Sequence, residues 1–237
     1  MPEKCSVQIT YYRAVLFDMD GVITDTMPLH LESWKRAFEP YGVRVDKMDV
    51  FLREGMTSAA MAREIARAKG KEPGEEDIKR LVEDKTRIFN GLVKDHARAY
   101  DGVKEALRVL RNNGIKLALV TGSKRGSAEA VLKEAGLPDA FDVMVGAEDV
   151  KNGKPDPEPY LQAMKKLNVP ALDCVVVENA PLGIKAAKAA KAGFVIALET
   201  TLDASYLGEA DEVDPSFAEL EQCLYRRFEA RPGRAIM

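Results

Sequence analysis

Five short runs of apolar, often β-branched residues punctuate the chain: Ala14–Phe17, Leu117–Val120, Val143–Val145, Cys174–Val177 and Phe194–Leu198. Each is too short for a helix and apolar throughout, which is how strands covered on both faces read. Helical spacing fills the intervals. Val103, Ala106, Leu107 and Leu110 recur three or four apart before Gly114, and Ala128, Val131, Leu132 and Ala135 do so before Gly136. A glycine just past the last periodic residue is a stop signal. Pro157 and Pro159 open a helix predicted to run through Asn168, and Pro181 opens another that ends before Gly193. Strand–helix alternation of this kind predicts an α/β fold, a doubly wound, Rossmann-like parallel sheet.

Residues 27–97 break the rhythm. Leu31, Trp34, Phe38 and Tyr41 follow helical spacing, as do Met61, Ile65 and Ala68, then Ile78, Leu81, Val82, Lys85 and Ile88. No strand pattern appears among them. The stretch reads as an all-helical insertion, a cap over residues 27–97, with the catalytic core expected from 1–26 and 98–237. Arg231, Pro232, Gly233 and Arg234 read as a frayed tail.

Composition narrows the class. Of 237 residues, 46% are hydrophobic and 31% charged, with a net charge of −3, as for a soluble globular protein. No basic block marks a nucleic-acid footprint, no apolar run reaches membrane-spanning length, and the first residues lack the apolar core of a signal peptide. Cys5, Cys174 and Cys223 are far apart and odd in number. They suit a reducing compartment and fit no metal spacing, so free thiols in a cytoplasmic protein are expected. With only His30 and His96, a histidine-based metal site or triad is disfavoured.

Polar groups gather where the strands end. Asp18 and Asp20 follow the first run, and residues two apart in extended chain face the same side. Thr121, Gly122 and Ser123 follow the second. Lys154 lies in the loop after the third, and Glu178 and Asn179 close the fourth. Ligands of open α/β sheets bind at the carboxyl ends of the strands, so all four segments are expected at one edge. Singly, each has a plain structural reading: Thr121 as a helix cap, Lys154 as a solvated side chain, Glu178 as a strand end. Together they fit phosphoryl transfer. One carboxylate attacks phosphorus, the other handles the proton, and a hard cation such as Mg²⁺ offsets the repulsion between carboxylate and phosphate. Lys154, Thr121 and backbone N–H groups near Gly122 hold the non-bridging oxygens.

These segments, in this order, resemble the four motifs of the haloacid dehalogenase superfamily over nearly the whole chain. The insertion just after the first strand is similar to that of helical-cap members. The segment from Ala14 to Thr26 resembles β-phosphoglucomutase-like and phosphoglycolate-phosphatase-like members most. The resemblance implies Asp18 as nucleophile and Asp20 as general acid/base. It implies Mg²⁺ held by Asp18, the Asp20 carbonyl, Glu178 and Asn179, and a transferring phosphoryl group held by Thr121 and Lys154. Gly21 and the turn after it are the expected pivot of cap opening. Asp20 argues against dehalogenation, since that branch lacks the second acid. Asn179 departs from the acid found in many relatives. Gly55, Met56, Thr57 and Ser58 lack the arginine with which similar mutases grip a second phosphate, although Arg53 and Arg63 flank them. His30 is read equally as a packed interdomain residue or as the histidine that positions the general acid in similar mutases. Trp34 is read as core rather than substrate platform, and Lys85, near Lys79 and Arg87, as part of a solvated helix face, with reach to a substrate carboxylate or phosphate as the alternative. The resulting expectation is a cytoplasmic, Mg²⁺-dependent phosphohydrolase of a small phosphorylated metabolite, with no nucleic-acid or membrane partner. A phosphosugar mutase and a non-catalytic phosphometabolite-binding protein are the alternatives.

Overall fold

The computed structural model of the chain describes residues 11–222. Cys5, Cys223 and the expected tail around Arg231–Arg234 lie outside them. Six parallel strands form one sheet: β1 (Ala14–Phe17), β2 (Lys116–Val120), β3 (Val143–Val145), β4 (Cys174–Glu178), β5 (Phe194–Leu198) and β6 (Glu212–Asp214), in the order β3-β2-β1-β4-β5-β6. Helices α1 (Met27–Phe38), α2 (Lys47–Phe51), α3 (Ser58–Ala68) and α4 (Glu75–Val93) lie between β1 and β2. Helices α5 (Val103–Asn112), α6 (Arg125–Glu134), α7 (Glu158–Leu167) and α8 (Pro181–Ala189) follow. This is the doubly wound α/β fold with a helical insertion that the sequence pattern predicts. The five apolar runs are five of its strands, and β6 is an addition.

The strands are apolar throughout because both faces are covered. Val15 and Phe17 of β1 pack into a cluster with Ala106 and Leu110 of α5 and Ala128 and Val131 of α6. Ala14 and Leu16, pointing the other way, pack with Tyr160 and Ala163 of α7 and Ile184 of α8. The insertion has a core of its own, in which Trp34, Phe38, Ile65, Ile78 and Leu81 meet. Its edges are shared, however. Phe89 and Val93 of α4 belong to the sheet's cluster, while Leu202, from the loop after β5, belongs to the insertion's.

Two chain crossings join the layers side by side. The Asp25 N–H donates to the Arg98 carbonyl at 2.9 Å, and the Tyr100 N–H to that of Ile23 at 3.1 Å. Register then sets the site. Phe17 pairs with Leu119 on one side and Val177 on the other. The next residue, Asp18, therefore lies level with Val120 and Glu178, at the point where successive strands leave in opposite directions, the crevice position of open α/β sheets.

Candidate active site

Lys154 ties the level row together. Its Nζ donates to Asp18 Oδ1 at 2.5 Å, to Glu178 Oε1 at 2.6 Å and to the Val120 carbonyl at 3.2 Å, which uses all three ammonium hydrogens. Tyr160 of α7 adds its hydroxyl to the same Glu178 oxygen at 2.5 Å. Asp18 is 3% exposed, and its Oδ2 is buried with no partner.

Asp20 is held from the insertion's first helix. Thr26 donates its hydroxyl to Asp20 Oδ1 at 2.5 Å, and His30 Nε2 stands 3.0 Å from the same oxygen, although its N–H is not aimed squarely enough to make a full hydrogen bond. Lys85 Nζ lies 2.9 Å from His30 Nδ1. An ammonium only donates, so Nδ1 accepts and the ring proton of neutral His30 sits on Nε2, facing Asp20. Phe89 stacks on His30 at 4.1 Å between centroids, and the Lys85 ammonium lies 4.5 Å from the Phe89 ring centre. Lys85 is buried, so the solvated-face reading is corrected: α4 turns this lysine inward, and the aromatic rings accommodate its charge. For His30 the structure selects the position beside Asp20. Trp34 is both insertion core and pocket wall.

The pocket lies between the layers. On the core side it is lined by Asp18, Asp20, Thr121, Gly122 and Ser123, and on the insertion side by His30, Trp34, Glu54, Met56, Ser58 and Lys85. Thr121 Oγ1 accepts the Ser123 N–H at 3.1 Å. Lys154, Glu178 and Asn179 stand behind Asp18 rather than in the pocket wall, because Lys154 is fully engaged by the two carboxylates. The loop between α2 and α3 closes on the core. Gly55, at φ +88°, passes so near Lys154 that a Cβ there would come within 2.6 Å of the lysine Cδ. Gly21, at φ +89°, is equally constrained, since a Cβ would meet Asn179 Nδ2 at 2.1 Å.

Electrostatics record a surplus of negative charge. Burial pushes Lys154 toward the neutral form, but Asp18 and Glu178 hold its pKa well above the ordinary lysine value. Burial raises Asp18; the Lys154 ammonium pulls it down, yet Glu178 and Asp20 keep the net direction upward. One ammonium thus serves too many carboxylates. Asp20 goes the other way: burial would raise it, and His30, Thr26 and the Lys85 charge together outweigh that. His30 is lowered by burial and by Lys85, against Asp20, so its hold on Asp20 is that of a neutral ring. Burial lowers Lys85 to about 8, with Asp20 opposing.

Sequence reasoning did not single out Glu54, Thr26, Tyr160 or Thr201. Glu54 is 6% exposed, and burial followed by repulsion from Asp18, Glu178 and Asp20 raises its pKa well above the ordinary range. A lone acid before Gly55 in a loop carries no spacing signal. The closure of that loop over Asp18 is a tertiary fact.

The strand-end acid pair, the loop lysine and the helical insertion over them make one site at the edge of a doubly wound sheet, the arrangement of an α/β hydrolase of the haloacid dehalogenase-like kind. A family model, haloacid dehalogenase-like hydrolase, matches residues 12–191, and the chain belongs to that family. It is 42% identical over 183 residues to the phosphorylated carbohydrates phosphatase of Thermotoga maritima, covering 75% of this chain and 81% of that protein. It is 30% identical over 182 residues to the β-phosphoglucomutase of Bacillus subtilis, covering 75% and 80%. Among solved structures, a β-phosphoglucomutase from Clostridium difficile aligns with a TM-score of 0.80 at 28% identity, covering 93% of this chain and 100% of that one. No helix among the described residues is long and apolar enough to cross a membrane.

Proposed function

We propose that the chain is a phosphatase of small phosphorylated carbohydrates, working through an aspartyl-phosphate on Asp18. The observation that carries this is the state of Asp18. One oxygen is fixed by Lys154, and the other is buried, unpartnered and next to Asp20 at the pocket. Relatives named as phosphatases support the reading, among them the fructose-1-phosphate phosphatase of Escherichia coli, 32% identical over 182 residues.

In the first step Asp18 Oδ2 attacks phosphorus and the ester P–O bond breaks. Asp20, whose lowered pKa leaves it ionised at rest, takes up a proton as substrate binds and gives it to the leaving alkoxide. In the second step Asp20 takes a proton from water as that water attacks phosphorus, and the bond from phosphorus to Asp18 breaks. Thr26, His30 and Lys85 hold Asp20 in place for both. Thr121, whose hydroxyl is positioned by the Ser123 N–H, faces the transferring group together with the backbone N–H at Gly122.

The residues suit Mg²⁺ in their chemistry. The available donors are all oxygen: the Asp18 carboxylate, the Asp20 carbonyl and the Asn179 amide, whose Oδ1 is buried and unpartnered. Among the described residues no three acid, histidine or cysteine side chains form a metal site by themselves. The set therefore leans on amide and backbone oxygens, and Glu178 supports it while held by Lys154 and Tyr160. A bound cation would offset the repulsion between Asp18 and the incoming phosphate. The test is release of phosphate from sugar monophosphates with Mg²⁺ present. Asp18→Asn, of similar shape, is expected to abolish it with the fold intact, and an Asp18→Asn variant with wild-type kcat would remove the covalent mechanism.

A further inference from the structure

We infer that Glu54 is a cation ligand delivered to the site by the helical insertion, so that closing the insertion over the core and binding the cation are one event. The inference rests on the proposed metal-dependent reading. Glu54 sits on the loop between α2 and α3, yet its carboxylate is inside the core's site. Oε1 and Oε2 lie 3.3 and 3.2 Å from a single atom, Asn179 Nδ2. That nitrogen is also 3.2 Å from the Asp20 carbonyl oxygen and 2.5 Å from Thr201 Oγ1. An amide nitrogen has two hydrogens to give, and here four oxygens converge on it. An all-oxygen surround of this kind is what a hard cation takes.

Two further observations point the same way. Asn179 Oδ1, on the amide at the centre of this cluster, is fully buried and has no partner. A half-turn of the Asn179 amide exchanges its nitrogen for that oxygen, which leaves oxygens alone facing the point. Glu54 also has no cation of its own. The nearby ammonium of Lys154 is bonded to Asp18, Glu178 and the Val120 carbonyl. A buried carboxylate among others is costly unless a positive charge joins it. Asn179 contributes no charge to the core's ligand set, and Glu54 supplies a carboxylate from across the crevice. The competing reading is a plain latch, in which Glu54 accepts the Asn179 amide and nothing more.

Mg²⁺ alone, titrated into the full chain by calorimetry, separates the two. Trp34 is the chain's single tryptophan and lines the pocket on α1, so its fluorescence follows the insertion in the same titration. Glu54→Gln keeps the shape and the acceptor but not the charge. Its Mg²⁺ affinity is expected to fall by about 10–100-fold, at least the loss typical of ligand-supporting partners, with the Trp34 response shifted to the same higher concentrations. Glu54→Asp keeps the charge and is expected to bind Mg²⁺ more tightly than Glu54→Gln. Wild-type Mg²⁺ affinity and Trp34 response in Glu54→Gln would establish the latch and overturn the inference, as would an Asp variant no better than Gln. If that happens while the wild type still releases phosphate with Mg²⁺, the phosphatase reading stands and only Glu54's role is lost. A wild type that neither binds Mg²⁺ nor releases phosphate removes both.

Discussion

At the residue scale the site is a set of carboxylates arranged around too few cations. Lys154 shows the consequence for stability. Lys154→Met would leave Asp18 and Glu178 buried without their ammonium, and removing one partner of a buried ion pair costs about 3–5 kcal/mol. Urea unfolding is expected to show a loss of that size. Asp20 shows the consequence for catalysis. Asp20→Asn is expected to lower turnover of an alkyl phosphate by roughly 10²–10⁴-fold and that of p-nitrophenyl phosphate by much less, because nitrophenolate leaves without a proton. Equal losses, with burst kinetics excluding a shared slow dephosphorylation, would count against acid catalysis by this residue. His30 adds a pH dependence. Its pKa is lowered in the folded chain from an ordinary value of 6.5. The unfolded chain therefore takes up a proton first as pH falls. The stability His30 contributes is complete above about 6.5 and is lost below it as pH falls through the folded value. His30→Gln is expected to flatten that part of a melting-temperature profile between neutral and mildly acidic pH. The placement of Asp18, Asp20, Thr121, Glu178 and Asn179 at one edge was legible in the sequence because each sits next to a strand end, and strand ends of an open parallel sheet share an edge; Lys154 was placed there by the loop that follows β3. Glu54, Thr26 and Tyr160 were not legible, because their proximity depends on packing between layers, which leaves no local period.

At the element scale, legibility follows length and burial. The strands buried on both faces announced themselves as unbroken apolar runs. β6, three residues that include Glu212 and Asp214, lies at the sheet's edge and has no such run. α2, five residues long, is too short to show a period and begins with a reciprocal cap between Asp46 and Asp49 instead. α4 matters most for how the layers cooperate. Ile78 and Leu81 pack in the insertion's core, and Phe89 and Val93 pack in the sheet's. One helix thus contributes side chains to both clusters. Leu81 is fully buried, and Leu81→Ala is expected to cost about 2–5 kcal/mol. Because α4 spans both clusters, the urea midpoint is expected to move together in Trp34 fluorescence, which reports the insertion, and in far-ultraviolet circular dichroism, which reports the whole chain. A midpoint that moved in Trp34 fluorescence alone would show that the insertion unfolds by itself and that α4 does not couple the layers.

At the scale of the whole molecule, the question is which reaction the closed insertion permits. A mutase must shield its aspartyl-phosphate from water while a bisphosphate turns around, and it must grip a phosphate at each end. The core offers one phosphate position near Thr121. The opposite wall offers little to a second. Arg53 donates to the Asp49 carbonyl, and Arg63 pairs with Glu75 at 2.6 Å at the surface. Neither lines the pocket. Lys85 does line it but is engaged with His30 at 2.9 Å. Ser58 is a short neutral hydroxyl where a bidentate guanidinium would serve best. Glu54 lines the same wall and offers a second phosphate no donor. These side chains favour a substrate with one phosphate and a neutral, hydroxyl-bearing body. The chain given β-glucose 1-phosphate with catalytic β-glucose 1,6-bisphosphate is therefore expected to release free phosphate in excess of any glucose 6-phosphate formed. The Ser58→Arg variant, which adds a guanidinium to that wall and leaves Glu54 in place, is expected to raise the ratio of glucose 6-phosphate to free phosphate. Rapid isomerisation by the unmodified chain, with little phosphate released, would show that Lys85 anchors the second phosphate despite its bond to His30 and would make this molecule a mutase.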